Sequence, residues 1–245
     1  MKRFVIAGLL LLAPAWVFAA AGGVHLDKAN IDPNNKESLQ RGARLFVNYC
    51  LSCHSAELMR YERIGTDLGI EDKLVEEHLM FTGGKLGDLM TVATADADSK
   101  DWFGTVPPDL TVIARARGVD WLYTYMRSFY RDDSKIIGVN NLVFPDVGMP
   151  HVLWELQGWQ EPLITTVKDH DGNKKKEVGL ELVEPGLMTP KEYDRAMRDL
   201  VNYLDYRGEP AKHDRRSLGV KVIIFLLLFL IVAYLMKRDY WQDVH

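Results

Sequence analysis

The stretch NYCLSCHSAE, residues 48–57, holds Cys50 and Cys53, the only two cysteines in a chain of 245 residues, and His54 follows them directly. C-x-x-C-H is the attachment pattern of a c-type haem. The spacing lets both thiols reach the vinyl groups on one edge of the macrocycle, while the adjacent imidazole approaches the iron from one face. The motif therefore predicts a covalently bound haem c, held by Cys50 and Cys53 and ligated by His54.

Two other chemistries also use a pair of cysteines. A redox-active dithiol would suit an exported protein, but no βαβ pattern of the thioredoxin type surrounds the motif. A structural zinc site needs four ligands, and the sequence has neither a second cysteine pair nor a closely spaced histidine pair to complete one. Haem attachment is the favoured interpretation, and the dithiol is its main alternative.

A haem that transfers electrons commonly takes a second axial ligand from the protein, and a His/Met pair raises its reduction potential. Methionine on a helical apolar face usually packs into a core, and Met80, Met126 and Met197 fit that description. Met149 differs, because it follows a glycine and precedes a proline in FPDVGMPH, residues 144–151, which cannot be regular helix. Met149 is therefore the predicted sixth ligand. His151 is its rival, since bis-histidine ligation is also chemically reasonable.

Both ends of the chain carry signals for export and membrane attachment. Residues 1–21 combine basic residues, an apolar run and small residues, in the order of a cleaved secretory signal. Residues 218–236 form an apolar run that, at a rise of about 1.5 Å per residue, spans ~28 Å, close to a hydrocarbon core of ~30 Å. The sequence thus predicts an exported head over 22–217, a transmembrane anchor, and a cytoplasmic tail over 237–245.

Acidic residues outnumber basic ones, 34 to 30, for a net charge of −4. The excess is concentrated in residues 57–101, which hold eleven acidic and five basic side chains. This balance makes nucleic acid a poor candidate partner. A run of this kind is commonly a solvated surface, but it would also attract a basic protein and speed their encounter at low salt.

The head has mainly helical patterns. A helix leads up to Cys50, with Ser38 as its expected N-cap. A second clear helix begins at Thr189, where Pro190 and Glu192 complete a capping box, and it is expected to stop near Gly208.

Other segments of the head fit the same mainly α class with one addition. Helical patterns also occur near 72–80 and 119–129. Two β-branched runs, 164–167 and 178–183, flank the sequence DGNKKK at 171–176 and predict a small β-hairpin.

Several further motifs follow one another along the chain. They are RGARLFVNYCLSCHS (41–55), YERI (61–64), GKLGDLM (84–90), VPPDLTVIARAR (106–117), VGMP (147–150) and HDRRSLGVKV (213–222) before the anchor. In this order the motifs resemble those of the cytochrome c1 family, the haem-bearing subunits of the cytochrome bc1 complex. Two departures from the family pattern are His151 after GMP and a hairpin that looks longer than in mitochondrial-type members.

The resemblance implies a cytochrome c type haem domain with loop insertions, in which the first helix packs on the last helix before the anchor. Gly42 and Phe46 would then meet Leu200 and Tyr203. It also implies that Met149 is the axial ligand. A third implication is that Arg117 pairs with a haem propionate, where a guanidinium suits a carboxylate.

The resemblance further implies an electron-transfer role in the bacterial inner membrane, with the head on the periplasmic side. The chain would accept one electron from the Rieske iron-sulfur protein and pass it to a soluble or anchored cytochrome c. Cytochrome b would be its other partner in a dimeric complex. The chain would not be an enzyme on its own, because quinol oxidation belongs to cytochrome b.

Overall fold

The computed structural model of the chain describes residues 24–92, 94–168 and 174–242, so the predicted signal over 1–21 lies outside the described residues. Helices carry most of the regular structure, as the mainly α prediction requires. The elements in chain order are α1 (Lys36–Tyr49), β1 (Ala56–Arg60), α2 (Tyr61–Leu68), α3 (Asp72–His78), β2 (Leu89–Met90), α4 (Asp96–Phe103), α5 (Ile113–Arg117), α6 (Val119–Arg127), β3 (Phe129–Arg131), β4 (Val139–Asn141), α7 (Trp154–Gln157), β5 (Gly158–Lys168), β6 (Lys174–Pro185), α8 (Pro190–Gly208) and α9 (Lys212–Tyr240).

Helix α1 begins three residues earlier than the sequence pattern predicted. Its N-cap is Asn35, whose side-chain oxygen accepts the backbone N–H of Ser38 at 2.9 Å. The prediction of Ser38 as the N-cap was therefore wrong. Ser38 is instead buried inside the helix, and its hydroxyl donates to the Asp199 carboxylate on α8 at 2.6 Å. The Ser38 hydroxyl therefore binds a residue far along the chain, whereas the local capping rule had assigned it to the start of its own helix.

Helix α8 has the predicted start and stop. The Thr189 hydroxyl accepts the Glu192 N–H, and the Glu192 carboxylate accepts the Thr189 N–H at 2.9 Å, which completes the capping box. Pro190 is the first helical residue and Gly208 is the last. The capping pattern was readable because all of its partners lie within one turn.

Helices α1 and α8 cross in close contact, and this crossing forms the centre of the core. A Cβ atom placed on Gly42 would lie 2.1 Å from the backbone oxygen of Asp199, so only glycine fits there. The rings of Phe46 and Tyr203 lie 5.7 Å apart, and both side chains are fully buried. The expected packing of the first helix on the last helix of the head is thus present.

The hairpin is longer than predicted. Strands β5 and β6 pair antiparallel along almost their whole length, with Ile164 opposite Val178, while 169–173 lie outside the described residues. The paired strands are extended because the polar residues beyond each β-branched run also join the ladder. Two shorter antiparallel pairs, β1 with β2 and β3 with β4, brace the loops around the helices.

Helix α9 contains the predicted membrane segment. Its part from Ser217 to Tyr240 spans 24 residues with a mean hydropathy of 2.8, and none of the most apolar window is buried within the chain. In the described part of the chain, this is the one helix long and apolar enough to cross a membrane. A helix with apolar side chains exposed on all sides fits a lipid environment better than water.

Candidate functional site

The loops between the helices enclose one large apolar cavity. The space not filled by protein atoms is about 1240 Å³, part of it open to solvent. All five predicted site residues line this cavity. The lining comprises Tyr49, Cys50, Cys53, His54, Phe103, Thr105, Val106, Pro107, Pro108, Leu110, Ile113, Arg117, Trp121, Leu122, Tyr125, Met126, Phe144, Val147, Gly148, Met149, Pro150 and Val152.

The end of α1 positions the two cysteines. The N–H of Cys50 donates to the Phe46 carbonyl at 2.9 Å, and the N–H of His54 donates back to the Cys50 carbonyl at 2.9 Å, which folds the motif into a turn. Cys50 is buried, Cys53 is half-buried, and the two are not joined by a disulfide. Burial raises the pKa of the Cys50 thiol to about 12, so it is protonated at neutral pH. Dithiol oxidoreductases need a lowered thiol pKa, and this cysteine has the opposite.

A carbonyl group sets the orientation of His54. Its Nδ1 lies 2.8 Å from the carbonyl oxygen of Pro108. Because a carbonyl only accepts hydrogen bonds, Nδ1 carries the hydrogen and Nε2 is left with the lone pair that a metal ligand needs. Burial lowers the pKa of His54, which favours this neutral form.

Two hydrogen bonds join the loop that contains Pro108 to the residues that follow the cysteine motif. The N–H of Leu110 donates to the Ser55 carbonyl at 2.9 Å, and the N–H of Glu57 donates to the Asp109 carboxylate at 2.8 Å. The sequence analysis used this proline-rich segment only as a family motif. Its role in orienting His54 depends on a contact across 54 residues that no local pattern reports.

Met149 lines the cavity as predicted, and a tyrosine holds its sulfur. The hydroxyl of Tyr125 donates to Met149 Sδ at 3.4 Å. Tyr125 is itself stacked on Trp121, with ring centroids 4.9 Å apart. The sequence offered no sign of this role, since Tyr125 reads as one more apolar residue on the inner face of α6.

His151, the rival ligand, does not line the cavity. Its side chain is 4% exposed and stacks parallel to Phe129 at 5.0 Å, with Trp159 edge-on at 5.8 Å. Burial lowers the pKa of His151 to about 4, so the imidazole is neutral at physiological pH. Its place between two aromatic rings is that of a core side chain.

Arg117 is the last residue of α5, exposed and lining the cavity. Its guanidinium carbon lies 5.2 Å from the ring centroid of Trp121 and 5.7 Å from that of Phe144. Stacking of this kind fixes a guanidinium while leaving its edge free to bind a carboxylate.

The cavity residues fit a c-type haem. The walls are mostly apolar, as a macrocycle requires, and two thiols meet an imidazole whose Nε2 is free. A thioether held by a hydrogen bond and an arginine complete the set of groups around the same space.

Comparison with known proteins agrees with this chemistry. The family model described as Cytochrome C1 family matches residues 28–244. A protein of Allochromatium vinosum named cytochrome c1 is 49% identical over 245 residues, covering both chains completely. A Nitrosomonas europaea protein named ammonia monooxygenase gamma subunit is also 49% identical, over all of this chain and 99% of its own. Cytochrome c1 of Rhodospirillum rubrum is 24% identical over 99% of this chain and 97% of its own. The chain therefore belongs to the cytochrome c1 family, the haem-bearing subunits of the bc1 complex.

Proposed function

We propose that this chain carries one covalent haem c and transfers single electrons from the Rieske iron-sulfur protein to a cytochrome c. The observation that carries the proposal is the meeting of Cys50, Cys53, His54, Met149 and Arg117 around one apolar cavity. When bound, the haem would supply a one-electron iron centre. The protein's part is to hold it, exclude water from it and tune its potential.

Cys50 and Cys53 would each form one thioether bond. The two thiols would hold the haem through its two vinyl groups, each S–H adding across one C=C bond, so that no oxidant would be needed. The turn from Cys50 to His54 brings both cysteines and the imidazole to the same cavity.

His54 and Met149 would be the two axial ligands. The hydrogen bond from His54 Nδ1 to Pro108 leaves Nε2 as the ligating nitrogen and makes the imidazole more basic. The hydrogen bond from Tyr125 draws electron density from the Met149 sulfur. Arg117 would pair with a propionate, because its guanidinium is fixed over aromatic rings at the cavity.

The topology that suits this role has residues 1–21 as a cleaved signal and 22–217 as a periplasmic head. The segment 218–236 would be a single span of the bacterial inner membrane, and 237–245 would remain in the cytoplasm. The apolar helix from Ser217 to Tyr240 supports the anchor. Cytochrome b and the Rieske protein would be partners in a dimeric complex. The acidic run 57–101 would dock a basic cytochrome c.

Haem staining tests the covalent site. The full-length chain and its variants would be made with the cytochrome c maturation machinery and separated on a denaturing gel, where only a covalent haem survives. Replacing both Cys50 and Cys53 by alanine should abolish the stain. The matched control Ser52→Ala, between the two cysteines, should keep it. An unstained wild-type chain would refute the proposal.

A second candidate is a haem subunit of a different membrane oxidase or reductase. The Nitrosomonas europaea relative is a reason to test it, because its name assigns that protein to a monooxygenase. Its sequence is as similar to this chain as the cytochrome c1 of Allochromatium vinosum is. Co-purification decides between the two: a bc1 subunit brings a b-type cytochrome and a Rieske protein with it. Isolation with other subunits and without these would favour the second candidate.

A further inference from the structure

Arg207, near the end of α8, is a buried arginine inside the core. Its side chain is 2% exposed. Nη2 donates to the Leu110 carbonyl at 2.7 Å, while Nε and Nη1 have no hydrogen-bond partner among the described residues. The guanidinium carbon lies 3.9 Å from the ring centroid of Phe46. Burying a charge in this way is costly, so its retention calls for a physical role.

Arg207 is not among the residues that line the cavity, but two of its contacts connect it to the cysteine motif. Leu110, its hydrogen-bond partner, is two residues from Pro108, which orients His54. Phe46, its ring partner, accepts the N–H of Cys50 through its carbonyl. The guanidinium is thus linked through Phe46 to the start of the C-x-x-C-H turn, and through the segment from Leu110 back to Pro108 to its end.

The charge of Arg207 reaches the site electrostatically. Leu110, which accepts the hydrogen bond from Arg207, lines the same cavity as Cys50 and His54. Asp109 is the acidic group that acts on Arg207, but its side chain is exposed and accepts backbone N–H groups of Glu57 and Thr111. An exposed carboxylate is screened by solvent and compensates a buried cation poorly. An arginine stays protonated even when burial lowers its pKa.

We propose that Arg207 is a positioning residue whose buried positive charge raises the reduction potential of the haem that the cavity would hold. The inference rests on the proposed function. The oxidised iron carries one more positive charge than the reduced iron, so a nearby cation in a low-dielectric core destabilises the oxidised form. The hydrogen bond to Leu110 and the face of Phe46 keep the charge in place.

Potentiometric titration of the full-length, haem-loaded chain in detergent tests the inference. Arg207→Met removes the charge and keeps an apolar side chain of similar length, and Arg207→Gln removes the charge but keeps a polar group. Both should lower the equilibrium constant for reduction at least tenfold, which is about 59 mV for a one-electron couple. If the Met variant fails to fold, the Gln variant carries the test.

The matched control is Arg41→Gln. Arg41 also joins α1 to α8, but it is half exposed and paired with Asp199 at 2.6 Å, so removing it should leave the potential unchanged within twofold. Potentials of the Arg207 variants equal to wild type would overturn the inference, as would an equal shift in the control. The inference would also be overturned if both Arg207 variants lost their covalent haem while the control kept it, because Arg207 would then be needed for folding. A wild-type chain without covalent haem would instead overturn the proposed function.

Discussion

Replacing Gly42 by alanine should force apart the two helices at the centre of the core. The new Cβ would lie 2.1 Å from the Asp199 backbone oxygen and 2.7 Å from Tyr203 Cβ. Contacts below 3.0 Å essentially never occur, and the Asp199 oxygen is backbone, so it cannot turn aside. The helices must therefore separate by about 1 Å, a gap that forfeits up to about half of each dispersion contact across the interface.

The expected cost follows from these distances. Overpacking of a core typically costs about 1–3 kcal/mol, and a backbone obstacle places this site at the upper end. Alanine regains about 1 kcal/mol through its better helix propensity. The net loss of unfolding free energy should be about 2 kcal/mol, which for a chain of this size lowers Tm by about 4–8 °C.

Thermal unfolding of the haem-loaded chain in detergent, followed by circular dichroism, measures the effect. Gly87→Ala is the matched control, because nothing lies within 4 Å of a Cβ at that position and its φ is not left-handed. The control should change the unfolding free energy by less than about 0.5 kcal/mol. A Gly42→Ala chain that melts at or above the wild-type temperature would show that the close crossing of α1 and α8 is not required.

Three further predictions concern the ligand, the acidic surface and the last helix of the head. Met149→Leu should lower the haem potential sharply while the haem stays covalently attached, because the thioether ligand is lost; an unchanged potential in the same titration would assign the sixth ligand elsewhere. Changing the exposed Glu71, Asp72 and Glu76 to amides should slow the reduction of a basic cytochrome c at low salt, measured by stopped flow. Rates with the same salt dependence as wild type would show that these acidic residues form a solvated surface and not a docking site. Thr189→Ala removes the N-cap of α8 and should cost about 1 kcal/mol in thermal unfolding, whereas Thr189→Ser should restore most of it, and equal melting of all three chains would contradict the capping role.

Features that depend on neighbouring residues were predictable from the sequence. The C-x-x-C-H turn, the capping box at Thr189 and the long apolar helix near the C-terminus each lie within a short stretch. Met149 was singled out in the same way, because its flanking glycine and proline exclude regular helix. The structure brings the cysteines, His54 and Met149 to one cavity, although Met149 lies far along the chain from the motif.

Features that depend on distant partners were missed or misplaced. Ser38 was predicted as an N-cap from local rules, but the Asp199 carboxylate on the opposite helix binds its hydroxyl. His151 was kept as the rival of Met149 for the sixth ligand, yet its side chain packs between Phe129 and Trp159 and does not line the cavity.

The sequence by itself determined which reactive groups this part of the chain offers, namely two thiols, an imidazole and a thioether, and predicted a haem site from them. Only the tertiary structure decided how these groups are oriented and which charged and polar groups surround them. Pro108 meets His54, Tyr125 meets Met149, and Arg207 meets Leu110 only where loops and helices come together in the folded core. The physical reason is that ligand identity belongs to single residues, whereas orientation and electrostatic environment belong to packing.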